Sequence, residues 1–247
     1  ATIQNPVERL KLATHENNMI AHRHECIFVH VPKTAGTSIE YVLGHYRRRG
    51  DQEHRPISQI QYVSTLDFLF LMFTQRPPIR RRNILKRYLK NCYGRGHLTS
   101  HQYKEYTKCA FVRNPWDRVV SWYKNVMRDE FQRNRFQVPP ETDFTRFVLE
   151  FVATDKLPHL RPQMYWILDL RGRMVMDFVG RFETLDDDWK HISSRIGMED
   201  SELPQLVAGP KTDKDYRSYY NSTTKRVVAA KYKNEIERFG YAFHPSP

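Results

Sequence analysis

Apolar positions fall in short blocks separated by long polar, basic stretches. The first block, Cys26 to Val31, is nearly continuous and rich in β-branched and aromatic residues (Ile27, Phe28, Val29, Val31), the pattern of a strand covered on both faces. Pro32 ends it, having no N–H to donate. Gly36 then allows either a positive φ or close backbone approach. Thr37 or Ser38 caps a helix starting near Ile39, where Ile39, Val42, Leu43 and Tyr46 recur at helical spacing and Arg47-Arg48-Arg49-Gly50 gives a basic end and a stop. A second block, Cys109 to Val112, repeats the theme. Asn114 caps, Pro115 takes the first helical position, Asp117 lies in the first turn, and Val119, Val120, Tyr123 and Met127 form a core stripe.

Other stretches are read more coarsely. Leu66 to Phe73 is an apolar block expected to be buried, and Phe144 to Val152 reads as a helix. Residues 76–90 hold seven Lys or Arg in fifteen positions, while Ile84, Leu85, Tyr88 and Leu89 keep one side apolar. This is an amphipathic helix whose basic face is either simply solvated or a track for a polyanion. Residues 1–25 are polar, with a short helix expected over Pro6 to Ala13. Strand–helix alternation gives an α/β fold, with a central, mainly parallel sheet flanked by helices in one domain spanning 26–247.

Charge narrows the partners. The chain of 247 residues carries 40 Lys+Arg against 28 Asp+Glu, a net charge of +12, which favours nucleotides, acidic glycans, nucleic acid or acidic membrane without choosing among them. Three cysteines, Cys26, Cys92 and Cys109, make no disulfide framework, although one bridge stays open. No apolar run approaches the roughly 18 residues of a membrane span. The expected location is either cytoplasmic or a luminal domain lacking its anchor. His22, His24 and Cys26 alternate and would share one strand face, but a metal site needs a further ligand, and none is assigned.

The turn after the first strand is a candidate anion cradle, with N–H groups and Lys33 directed at one spot. It departs from the nucleoside-triphosphate loop, in which Lys follows the second Gly: here Lys33 precedes Gly36 by three residues, and no acidic strand end is evident to hold Mg²⁺. Arg113 stands at the end of the second strand, where open α/β sheets bind ligands. Ser121 follows eight residues later, about two helical turns on.

Pro32-Lys33-Thr34-Ala35-Gly36-Thr37-Ser38 resembles the 5′-phosphosulfate loop of sulfotransferases that use 3′-phosphoadenosine 5′-phosphosulfate (PAPS). Val112-Arg113-Asn114-Pro115-Trp116-Asp117-Arg118-Val119-Val120-Ser121-Trp122-Tyr123 resembles their 3′-phosphate motif, and more narrowly that of the carbohydrate branch acting on chondroitin, dermatan and heparan (2-O-type) chains. The motifs lie about 80 residues apart, in the family's order. Met176 to Leu185 is similar to the family's late strand, leading into a helix from Thr184 to Gly197 with Asp186, Asp187 and Asp188 in its first turn. The segments Tyr216–Tyr220 and Ile236–Tyr241 resemble the C-terminal end.

The resemblance implies a sulfotransferase fold and in-line transfer from PAPS to an acceptor hydroxyl, with PAP leaving and no metal. Lys33 would neutralise the leaving group, Lys33, Thr34, Ala35, Gly36, Thr37 and Ser38 would hold the 5′-phosphate, and Arg113 and Ser121 the 3′-phosphate. Lys211 and Thr212 would close over the adenosine. His97, on the Gly94-Arg95-Gly96 loop, is the expected base, with His101 and His159 in reserve. His159, Arg161 and Gln163 would meet an anionic or hydroxylated acceptor, a glycan above all, with structural pairing an open alternative for Arg161 and Gln163. The competing readings are a polyanion-binding module on a degenerate scaffold, a P-loop kinase and, last, a nucleic-acid binder.

Overall fold

The computed structural model describes residues 19–45, 54–74, 78–199, 201–204, 206 and 215–244, with only the backbone of 78–80. Four strands form one sheet in the order β1 (Ile20–Ala21), β2 (Cys26–Val29), β3 (Thr107–Val112), β4 (Phe178–Arg181). β2, β3 and β4 are parallel, with Val29 level with Ala110 and Ala110 with Val179, while the two-residue β1 pairs antiparallel with β2. The domain therefore begins earlier than the polar composition of 1–25 suggests: Met19, Ile20 and Ala21 are buried against β2.

Strand alternation divides the core. Ile27, Val29, Ala110 and Val112 feed one face, packed against Ile57, Ile60, Leu98, Trp166 and Tyr241. Cys26, Phe28, Cys109 and Phe111 feed the other, under Ile39, Leu43, Trp189 and Ile192. Cys26 and Cys109 are free, with sulfurs 3.6 Å apart in this second core, whereas Cys92 is exposed. His22–His24 form a 3₁₀ turn and not a strand face, and the His22 ring meets the Tyr106 hydroxyl at 3.2 Å.

The helices run α1 (Gly36–Val42), α2 (Ile57–Ile60), α3 (Thr65–Thr74), α4 (Pro78–Cys92), α5 (Ser100–Glu105), α6 (Pro115–Arg128), α7 (Glu130–Phe136), α8 (Phe144–Phe147), α9 (Met164–Ile167), α10 (Leu185–Arg195), α11 (Ser222–Lys231) and α12 (Lys233–Phe239). α8 continues into a π-helical turn, Val148–Val152, so the helix expected there exists with its second half widened. α6 begins as its sequence dictates: Asn114 accepts from the Trp116 N–H at 3.1 Å, Pro115 follows, and Val119 and Val120 are buried.

Three expectations are corrected. α1 starts at Gly36, with Ala35 at its N-cap in the left-handed region and no side-chain cap from Thr37 or Ser38. It ends at Val42, closed by left-handed Gly44, so Arg47 to Gly50, which lie outside the described residues with Tyr46, do not terminate it. The block Leu66 to Phe73 is helical but buries only Leu71; Leu66 and Phe73 are 77% and 83% exposed. Pro6 to Ala13 also lies outside the described residues. No described helix is long and apolar enough to cross a membrane.

Candidate active site at the C-terminal ends of β2 and β3

Two neighbouring parallel strands deliver the two motifs to the same edge. β2 passes through His30 to Pro32 and the turn 33–35; β3 ends at Val112 and hands on to Arg113. In the turn, Lys33 and Ala35 both take positive φ (71° and 66°), so the backbone curls tightly, as in anion-binding concavities. Gly36 is needed for close approach and not for positive φ: a Cβ there would lie 2.1 Å from His30 Cδ2. Thr34 is fully buried and its hydroxyl donates to Val31 O at 2.8 Å, which fixes the turn and leaves Thr34 its backbone to offer an anion. Thr37 and Ser38 are half-buried in the first turn of α1.

Arg113 is held from three sides. Its Nε donates to Asp117 at 2.8 Å, its Nη1 to the Lys33 carbonyl at 3.3 Å, and its guanidinium stacks 3.8 Å over the Phe182 ring. Asp117 and Ser121 continue the same face of α6 at successive i, i+4 steps, with Ser121 half-buried. Lys33 Nζ lies 6.0 Å over Trp122. Burial first, then the charges of Arg113 and Arg128, lower its pKa from 10.5 to about 8.

Behind the turn lies a buried scaffold of which sequence reasoning saw only part. The Arg118 guanidinium is fully buried and donates to the carbonyls of Pro32 (3.0 Å), Arg161 (3.1 Å) and His159 (2.6 Å), tying the turn to the segment 158–163. Gln163 is likewise buried: it accepts from Arg113 N at 2.8 Å and donates to Arg113 O at 2.8 Å and Glu235 Oε1 at 3.0 Å. Its amide is therefore a strut for Arg113, the structural pairing that stood open beside an acceptor role for this residue. Glu183 accepts from Asn114 N at 2.6 Å and from the Tyr241 hydroxyl at 3.2 Å, which gives the late Gly180-Arg181-Phe182-Glu183 stretch its structural purpose.

Beside Lys33 three histidines come together. His30 and His54 have ring centroids 4.2 Å apart, and His54 and His159 5.3 Å apart, while His159 packs on Trp122 at 4.8 Å. Burial lowers all three to about 3, helped by Lys33 at His30 and by other cations and neighbouring rings at His54 and His159. Neutral His30 donates from Nδ1 to buried Glu40 at 2.8 Å, a hydrogen bond between α1 and the end of β2.

A cavity of about 260 Å³ opens here, lined by His54, Gln59, Arg135, Phe136, His159, Arg161, Tyr165 and Trp166 among others. Arg161 is exposed, its guanidinium 4.7 Å over Tyr165. So His159 and Arg161 do line a cavity and Gln163 does not. His97 is exposed on the loop ahead of α5 and is absent from the packed group of rings, and His101 sits on α5. His54 and Arg135 went unnoticed because both lie outside the recognised motifs. Lys211 and Thr212 lie outside the described residues, and no cluster of three or more His, Cys, Asp or Glu suited to a metal occurs among the described ones.

The site thus pairs a curled, lysine-bearing turn and a clamped arginine, on adjacent strand ends, with a cationic and aromatic cavity. No curated protein and no solved structure matches the chain. A family model described as the sulfotransferase family matches residues 16–242, spanning both motifs and the whole sheet, and the chain belongs to that family.

Proposed function

We propose that the chain transfers a sulfuryl group in line from PAPS to a hydroxyl of an acidic carbohydrate, releasing PAP. The observation that carries this reading is the junction of Lys33 and Arg113: the two anion-binding motifs, 80 residues apart in sequence, share a hydrogen bond at neighbouring strand ends. A bisphosphate nucleotide needs such a two-point site, and a triphosphate loop does not supply it.

Each role follows from position. The turn from Lys33 to Ser38 takes the 5′-phosphate through backbone N–H groups, with Lys33 set against the bridging oxygen, where negative charge grows as the S–O bond breaks. A lysine buried beside Arg113 and Arg128 is poorly solvated, so neutralising an anion there is worth more than in water. Arg113, already aligned by Asp117 and Phe182, and Ser121 on the same face take the 3′-phosphate. The cavity suits a sugar: the faces of Trp166 and Tyr165 offer apolar contact, while Arg135 and Arg161 suit carboxylate or sulfate.

The test is transfer from [³⁵S]PAPS to desulfated chondroitin, dermatan and heparosan, alongside a small phenol. Label retained in at least one acidic polysaccharide is expected. Label confined to the phenol overturns the acceptor class. Absence of both transfer and PAP binding supports instead a polyanion-binding module on a degenerate scaffold.

A further inference from the structure

We propose that the paired helices α3 and α4 form a docking surface for an anionic lipid bilayer. The inference goes beyond the sulfuryl-transfer reading and is independent of it, since neither motif contributes to this surface. α3 turns its apolar stripe outward. Leu66, Leu69, Phe70 and Phe73 stand at i, i+3, i+4 and i+7, on one face of the helix, and all four are between 42% and 83% exposed. Single apolar residues on a surface are ordinary, but a periodic stripe of four large ones marks an interaction site. α4 packs beside it: Phe68 stacks on Tyr88 at 4.3 Å, and the Thr65 and Tyr88 hydroxyls lie 3.2 Å apart. The inner side of α4 is used within the protein, with Ile84 buried and Arg87 donating to the Ser58 carbonyl. Its outer side carries two exposed rows at i, i+4 and i+8, Leu85, Leu89 and Tyr93 beside Arg82, Lys86 and Lys90.

Charge selects the partner. α4 holds six Lys or Arg and no Asp or Glu. The single acid of α3, Asp67, is engaged by Arg171 at 3.1 Å, and that guanidinium also lies 4.1 Å over the Phe70 ring. A polysaccharide would use these cations and leave the α3 stripe in water. A second copy of this chain would bring the same cations against them, in a protein of net charge +12. An acidic bilayer uses both features. Leu and Phe enter the boundary of the acyl chains, while Lys and Arg meet headgroup phosphates and carboxylates with their stems lying along apolar surface. At ten and fifteen residues, with one apolar side turned outward on each, α3 and α4 suit the plane of the interface and not a span.

The test is flotation of the full chain with vesicles of phosphatidylcholine alone, or with about 30% phosphatidylserine added. Cys92 gives a reporter in the unmodified sequence: it is exposed on α4, at i+7 from Leu85, whereas Cys26 and Cys109 are buried. The expected partition onto acidic vesicles is at least about 10-fold above that onto neutral ones. An environment-sensitive fluorophore on Cys92 should then shift to the blue and be quenched by lipids spin-labelled on the acyl chain. Leu66→Ser with Phe73→Ser should lower the partition at least about fivefold at unchanged Tm, since both side chains already face water. Lys86→Gln with Lys90→Gln should do the same. Lys190→Gln with Arg195→Gln removes equal charge from α10, which packs on the sheet face opposite α2, and should leave the partition within about twofold. No preference for acidic vesicles, an unquenched label, or equal losses from the α4 and α10 pairs overturns the proposal. So does heparin binding without vesicle binding, which assigns the face to a polysaccharide. A dimer that Leu66→Ser with Phe73→Ser dissolves assigns it to a second copy and overturns it equally.

Discussion

At the scale of the residue, Lys33 and its surroundings set the chemistry of the proposed site. In the folded chain its ammonium loses its proton at about 8, against 10.5 when unperturbed, because burial and two arginines disfavour the charge. Between those values the unfolded chain holds more proton than the folded one. Lys33 therefore adds stability as pH rises through that window and costs stability below it. A bound 5′-phosphate reverses the penalty, so PAP binding at pH 8–8.5 should take up a fraction of a proton, visible by calorimetry in buffers of different ionisation enthalpy. Lys33→Met should abolish that uptake, and an unchanged uptake would show that another group titrates. The placement of Lys33, Arg113 and Ser121 near one sheet edge was legible in the sequence because each sits at a fixed step from a strand end. Structural pairing, which the sequence left open for Gln163, is what the fold supplies, and Arg118 was missed for the same reason that Gln163 stayed ambiguous: what each does depends on partners brought close only by folding, Arg113 and Glu235 for Gln163, Pro32 and His159 for Arg118.

At the scale of the element, local rules predicted the helix at Pro115 and failed at the helix after the turn. Asn114 caps α6 as expected, but the polar residues before Ile39 do not cap α1, because the turn itself enters the helix through left-handed Ala35. What fixes that junction is Gly36 against the His30 ring. Gly36→Ala must push ring or backbone aside, an overpacking cost of about 1–3 kcal/mol, and should weaken PAP binding more than it lowers Tm. Equal loss in a surface control would deny the turn this role. Arg118→Met removes a buried guanidinium that three carbonyls need, and it leaves Glu235 without a nearby counter-charge. A loss of about 3–5 kcal/mol is expected, read as a fall in Tm of about 10 °C. A change under about 1 kcal/mol would mean the 158–163 segment is held by other contacts. The apolar block at 66–73 was misjudged because composition alone does not say which face a helix turns inward.

At the scale of the molecule, a mainly parallel sheet was readable from strand–helix alternation, while its strand order and the antiparallel β1 were not, the latter because two residues carry no period. The sheet brings the motifs to one edge, and the chain's +12 charge surrounds that edge with cations such as Arg128, Arg135 and Arg161. The proposed two-phosphate site at neighbouring strand ends is open to direct test by calorimetric titration. PAP, adenosine 5′-phosphosulfate, which lacks the 3′-phosphate, and ATP with Mg²⁺ would each be titrated into the same protein. Removing a charge-assisted contact of Arg113 should cost about 1.5–3 kcal/mol, so PAP is predicted to bind about 10- to 100-fold more tightly than the other two. Equal affinity for all three, or preference for ATP with Mg²⁺, would contradict the account.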